Sequence, residues 1–153
     1  MPDSRTPVIN VFFLCTHNSA CSILAEALLN SMGQGCFKAF SAGSKPRENQ
    51  QPHPMALKAL ASVGISTDGL RSKSWDEFAA VDAPHMDLVI TVCDNAAGEV
   101  CPFWPGRPAT AHWGYADPSA IEGTDVQKME AFRQTLLAIK RRMELLTSLP
   151  AAS

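Results

Sequence analysis

The sequence predicts an α/β domain, a small parallel sheet of about four strands with helices on both faces. Three observations predict it. Short β-rich apolar runs alternate with stretches of helical periodicity along the chain. The first two such runs flank one helical stretch, giving strand, helix and strand in about 35 residues, the length of a βαβ unit with a right-handed crossover. At 153 residues and 46% hydrophobic content, the chain has material for one compact core and too little for two. Residues 1–153 therefore read as a single domain, with a core at 8–149 and short tails at 1–7 and 150–153.

Val8 to Leu14 is the first strand, bounded by Pro7 and apolar almost throughout, as a strand buried on both faces must be. Cys15 to Ala20 is a polar turn, and Ser22 opens a helix running to about Ser31, closed by Gly33 and Gly35. Cys36 to Ala42 is the second strand. Gly43 to Pro52 is a loop rich in Pro, Gly and polar residues. Pro54 to Val63 is helical, with proline suited to its first turn and Gly64 after its end. Ser72 to Ala80 reads as a short helix entered through Ser74, with Asp76 and Glu77 in its first turn. Met86 to Val92 is the third strand and ends directly on Cys93. Asp94 to Arg107 is a long irregular loop, a length that in compact domains tends to be functional. Ala109 to Trp113 is a short fourth strand. From Asp125, the recurrence of Val126, Met129, Phe132, Leu136, Ile139, Met143 and Leu146 predicts an amphipathic helix packed on the sheet.

Composition excludes several classes. A net charge of -2 offers no field for nucleic acid or an anionic membrane. The one tight basic cluster, Lys140 to Arg142, lies within the last helical stretch and reads as a solvated face. Neither a signal peptide nor a run of about 18 apolar residues is present, so a cytoplasmic protein is expected. Five cysteines are more than packing needs, and the odd number argues against a closed disulfide framework. Their spacing does not suit zinc.

In doubly wound sheets, sites form beyond the carboxyl ends of the strands. Cys15 and Cys93 both stand at such ends. After Cys15, the backbone amides of Thr16, His17, Asn18, Ser19 and Ala20 can turn inward beside a helix N-terminus, an arrangement that holds an oxyanion and favours thiolate over thiol. Asn18 tolerates left-handed dihedrals, and the hydroxyls of Ser19 and Ser22 can donate toward sulfur. The same residues suit a buried cysteine beside an ordinary capped turn, and Asp117, followed by Pro118 and Ser119, suits ordinary turn chemistry. His17, His53 and His85 lie in or near loops and read as surface histidines. Cys36, opening a strand, reads as an inert core thiol.

Four motifs in order decide between those readings: CTHNSACS at Cys15, SAG at Ser41 to Gly43, CDNAAGEVC from Cys93 to Cys101, and HWGYADP ending at Pro118. Together they resemble the low-molecular-weight tyrosine phosphatase fold, specifically its thioredoxin-coupled arsenate reductase branch, from about Val8 to Leu149. That resemblance implies catalytic Cys15, Cys93, Cys101 and Asp117, and oxyanion binding by Thr16 to Ser22. Cys15 would attack arsenate with Asp117 as general acid, Cys93 would release arsenite, and Cys101 would resolve the resulting disulfide. It further implies that phosphate or sulfate serve as arsenate analogues, that thioredoxin or a similar dithiol is the partner, and that neither metal nor organic cofactor is needed. His112 and Trp113 would pack beneath the acid loop.

One position departs from the pattern. The family loop runs from cysteine through five residues to arginine and serine, and here the arginine slot holds Cys21. A thiol supplies neither the planar fork nor the charge of a guanidinium, a loss on the order of 3 kcal/mol, so weaker arsenate binding is expected. A phosphatase sharing Cys15 and Asp117, and a protein that holds trivalent arsenic with Cys15, Cys21 and Cys93, are the competing readings.

Overall fold

A computed structural model describes residues 8–33, 35–46, 48–78, 85–93, 109–115, 118 and 121–148, with Cys93 described through its backbone alone. Four parallel strands form one sheet: β1 (Ile9–Cys15), β2 (Phe37–Gly43), β3 (Leu88–Cys93) and β4 (Ala109–Tyr115), in the spatial order β2-β1-β3-β4. The chain steps from β1 to β2 on one side and then to β3 on the other. That reversal is a topological switch point, and the crevice beyond the carboxyl ends of β1 and β3 is where such sheets bind ligands. Register fixes the neighbours there: Cys15 pairs with Gly43 of β2, and Leu14 with Thr91 of β3. The expected adjacency of the strands ending in Cys15 and Cys93 holds.

The alternation of β1 side chains builds two cores. Val11, Phe13 and Cys15 turn to one face, where α1 (Cys21–Met32), α2 (Pro54–Ser62) and the long α3 (Asp125–Ser148) supply Leu24, Leu28, Leu60, Phe132, Ile139 and Met143. Phe12 and Leu14 turn to the other, against Phe78, Met86 and Val89. Both faces thus carry helical cover, but unequally: among the described residues the second face has a single 3₁₀ turn, Trp75–Phe78. The helix expected from Ser72 takes this shorter form over the described residues, because Ser74 Oγ accepts from Asp76 N at 3.1 Å and closes the first turn locally. Phe78 pins it to the sheet, with ring centroids 4.7 Å from Phe12 and 5.7 Å from Phe40. Among the described residues, no helix is long and apolar enough to cross a membrane.

Two expectations need correction. Strand β2 begins at Phe37, so Cys36 stays outside the core and is exposed. His53 is no free surface residue: it caps α2, its Nδ1 accepting from Met55 N at 3.1 Å, and its ring lies 4.7 Å from that of Phe132. The proline at the next position, Pro54, has no N–H to satisfy, which suits a cap that reaches the second residue of the helix.

Candidate active site

Strand β1 delivers Cys15 to the crevice, almost completely buried, and the chain reverses at once into α1. The reversal requires one left-handed residue, and Asn18 takes it with φ of 56°. Its own N–H then points back at Cys15 Sγ, 3.1 Å away. Ser22, one turn into α1, brings its Oγ to 2.9 Å from the same sulfur. Contacts of this kind stabilise a thiolate over a thiol. Ala20, which precedes α1, has no side chain able to cap the helix, so the first-turn amides receive no such partner from it. Of the two hydroxyls expected at the sulfur, Ser22 makes the contact; Ser19 instead accepts from His53 N through its carbonyl, at 2.8 Å, tying α2 to the loop.

The Asn18 side chain is fully buried and fully used. Its Nδ2 donates to Ser22 Oγ at 2.7 Å and Ser41 Oγ at 3.0 Å, and its Oδ1 accepts from Lys73 N at 2.9 Å. Its carbonyl accepts from Ser72 Oγ at 2.5 Å. Ser41 passes the chain on by donating to Glu26 Oε1 of α1. Glu26 in turn lies 3.8 Å from Lys73 Nζ. Burial pushes the Glu26 carboxyl above its ordinary range, against the hydrogen bond from Ser41 and the charge of Lys73. Burial likewise pulls Lys73 below its usual range, against the attraction of Glu26. Both directions favour the uncharged forms, so desolvation outweighs the pair's mutual attraction.

Loop and sheet touch at the SAG motif. Gly43 is paired with Cys15, and the backbone leaves it no room for a side chain. Lys45 N donates to Thr16 O at 2.8 Å, and His17 Nδ1 donates to Lys45 O at 3.0 Å, which fixes a proton on that ring nitrogen. Cys21 stands at the first position of α1, buried in the same apolar cluster as Cys15. The structure therefore gathers Cys15 and the whole segment from Thr16 to Ser22 at one end of the sheet. Backbone pairing puts Cys93 at the same end of the adjacent strand, in register with Tyr115. Cys101 and Asp117, with the acid loop expected over His112 and Trp113, lie outside the described residues. His112 is exposed and within 2.6 Å of Thr91 Oγ1, while Trp113 packs against the core, 6.2 Å from Phe13 between ring centroids.

Sequence reasoning did not single out Glu26, Ser72 or Lys73. A signal existed for Glu26, an acidic residue set within the otherwise apolar stretch ILAEALL, a position that demands a buried partner. Ser72 and Lys73 carried none, since they reach the loop from more than fifty residues away.

Comparison with known proteins places this geometry among its relatives. The family model described as low molecular weight phosphotyrosine protein phosphatase matches residues 10–152. The arsenate reductase of Halalkalibacterium halodurans is 35% identical over 134 residues, covering 88% of this chain and 91% of the relative. A solved arsenate reductase in the phosphate binding state superposes with a TM-score of 0.69 at 28% identity, over 92% of this chain and 98% of that one. The thioredoxin-dependent arsenate reductase of Corynebacterium glutamicum superposes with a TM-score of 0.60 at 25% identity, over 93% of this chain and 65% of that one.

Proposed function

This chain belongs to the low molecular weight phosphotyrosine protein phosphatase family, in its arsenate reductase branch, and from that premise we propose that it reduces arsenate to arsenite through Cys15, Cys93 and Cys101. The observation that carries the reading is the environment of Cys15 Sγ. It has the Asn18 amide at 3.1 Å and the Ser22 hydroxyl at 2.9 Å, and it ends a strand whose neighbour ends in Cys93.

In the proposed sequence, Cys15 thiolate attacks arsenic and a hydroxyl departs with a proton from Asp117, leaving a sulfur–arsenic(V) bond. Cys93 thiolate then attacks Cys15 Sγ. A sulfur–sulfur bond forms, the sulfur–arsenic electron pair stays on arsenic, and arsenite leaves as arsenic(III). Cys101 attacks Cys93, moving the disulfide to Cys93–Cys101 and freeing Cys15. A dithiol such as thioredoxin, named for the C. glutamicum neighbour, supplies the two electrons that restore both thiols. The reducing cytoplasm is the compartment that suits this cycle. Cys21 contributes no charge to the loop, so arsenate affinity is expected to be about a hundredfold below that of a loop with arginine there.

The test is arsenite release with thioredoxin as reductant, measured for the parent chain and for Cys21→Arg. Activity in either form supports the reading, with the larger rate expected for Cys21→Arg. Absence of arsenite from both overturns it. Phosphate release from an aryl phosphate, undiminished by Cys93→Ala, would establish hydrolysis instead.

A further inference from the structure

A buried hydroxyl that is poorly satisfied among the described residues stands near the arginine slot that Cys21 fills. Tyr115 ends β4, in register with Cys93, and its Oη is buried with no hydrogen bond of ordinary geometry among the described residues. Such groups are rare in native proteins and cost free energy unless something satisfies them. Over the Tyr115 ring, 5.1 Å from its centroid, lies the guanidinium carbon of Arg142, which also sits 5.7 Å from the centroid of Trp113. Arg142 comes close enough to the phenol to act on it by charge and by a loose hydrogen bond that falls short of ordinary geometry. Both aromatics pack against the cluster that contains Cys15 and Cys21. The basic run at Lys140 to Arg142 is therefore not solvated throughout: Arg142 is half-buried and turned to the sheet end that carries the loop.

We propose that Arg142 and Tyr115 stand in for the arginine absent from position 21, the guanidinium supplying positive charge and the phenol a directed hydrogen bond to an oxyanion held over Cys15. The electrostatics agree with this placement. Burial pushes the Tyr115 phenol upward, Arg142 pulls it back by charge and hydrogen bonding, and Cys21 adds to the rise, so both residues are felt at the hydroxyl. Stacking leaves a guanidinium's in-plane donors available, which a lysine at the same place would not reproduce. The device explains how a loop with a thiol in the arginine slot retains anion affinity, and it rests on the oxyanion-binding reading given above.

Inorganic phosphate, a non-reducible probe, tests it by calorimetry on the full chain. Arg142→Ala should weaken phosphate about tenfold in the parent and less than about twofold in the Cys21→Arg background, where the direct arginine makes the surrogate redundant. Arg142→Lys should restore only part of the parental affinity. Tyr115→Phe should weaken binding about threefold with little change in the melting temperature, because the hydroxyl it removes makes no hydrogen bond of ordinary geometry among the described residues. Equal loss on Arg142→Ala in both backgrounds, or no loss in the parent, overturns the proposal and leaves Arg142 as packing. If phosphate binds neither the parent nor Cys21→Arg, the oxyanion reading itself falls, and this proposal with it.

Discussion

A Cβ on Gly43 would stand 2.6 Å from Thr16 O, with Asn18 N and the His17 carbonyl carbon each 2.9 Å away. All three neighbours are backbone and cannot swing aside. Gly43→Ala is therefore expected to push the loop after Cys15 off the sheet, costing about 2 kcal/mol or more in stability. It should also lower turnover by at least about tenfold, since loop amides act only when aimed. Urea unfolding and steady-state kinetics on the same preparation check both.

Asn18→Ala removes a left-handed residue and a side chain with three buried contacts. Ser41 Oγ, Ser22 Oγ and Lys73 N each lose a partner. The expected destabilisation is about 3 kcal/mol. Cys15 should become less reactive, because the amide aimed at its sulfur is no longer held. Alkylation rate against pH reports the shift: the thiolate midpoint rises in the variant.

Ser22→Ala separates the sulfur from its nearest hydroxyl and leaves the loop backbone in place. A fall of about tenfold in reaction rate at neutral pH is expected, with the thiolate midpoint moved upward. Since Asn18 Nδ2 keeps its bond to Ser41 Oγ, the stability loss should be near 1 kcal/mol. Thermal unfolding should show the loss as a few degrees.

Glu26→Gln has a pH signature whose sign follows from burial. The folded carboxyl holds its proton above the ordinary value of 4.5, so the folded state binds more protons than the unfolded one just above that pH. Stability contributed by protonated Glu26 is present below 4.5 and lost as pH rises through the raised folded value. The variant escapes that loss, so its melting temperature relative to the parent should improve from acid to neutral pH. A difference independent of pH would count against a raised Glu26.

How far the fold was legible depends on where the information lies. The strands announced themselves because each must be apolar on both faces, and α3 did so through its period. Asn18 was legible too, since few residues accept its dihedrals. What escaped was anything set by meetings between distant segments. Lys73 shows only in three dimensions that it serves the loop twice, by its amide to Asn18 and its ammonium beside Glu26. Arg142 looked like part of a solvated run until the sheet brought Trp113 and Tyr115 under it. Cys36 was misplaced by one residue of strand boundary, the least determinate quantity in a sequence reading.

The complete use of Asn18 has one more consequence. Its partners come from α1, β2 and the segment before the 3₁₀ turn, and the loop it braces is fastened to α2 through Ser19 and His53. Three parts of the molecule close on one side chain and a fourth is fastened to its loop, so the loop has no independent melting of its own. The Cys15 loop and the core should disappear in a single cooperative transition, with the probe of Cys15 reactivity and the probe of helix content tracing the same curve.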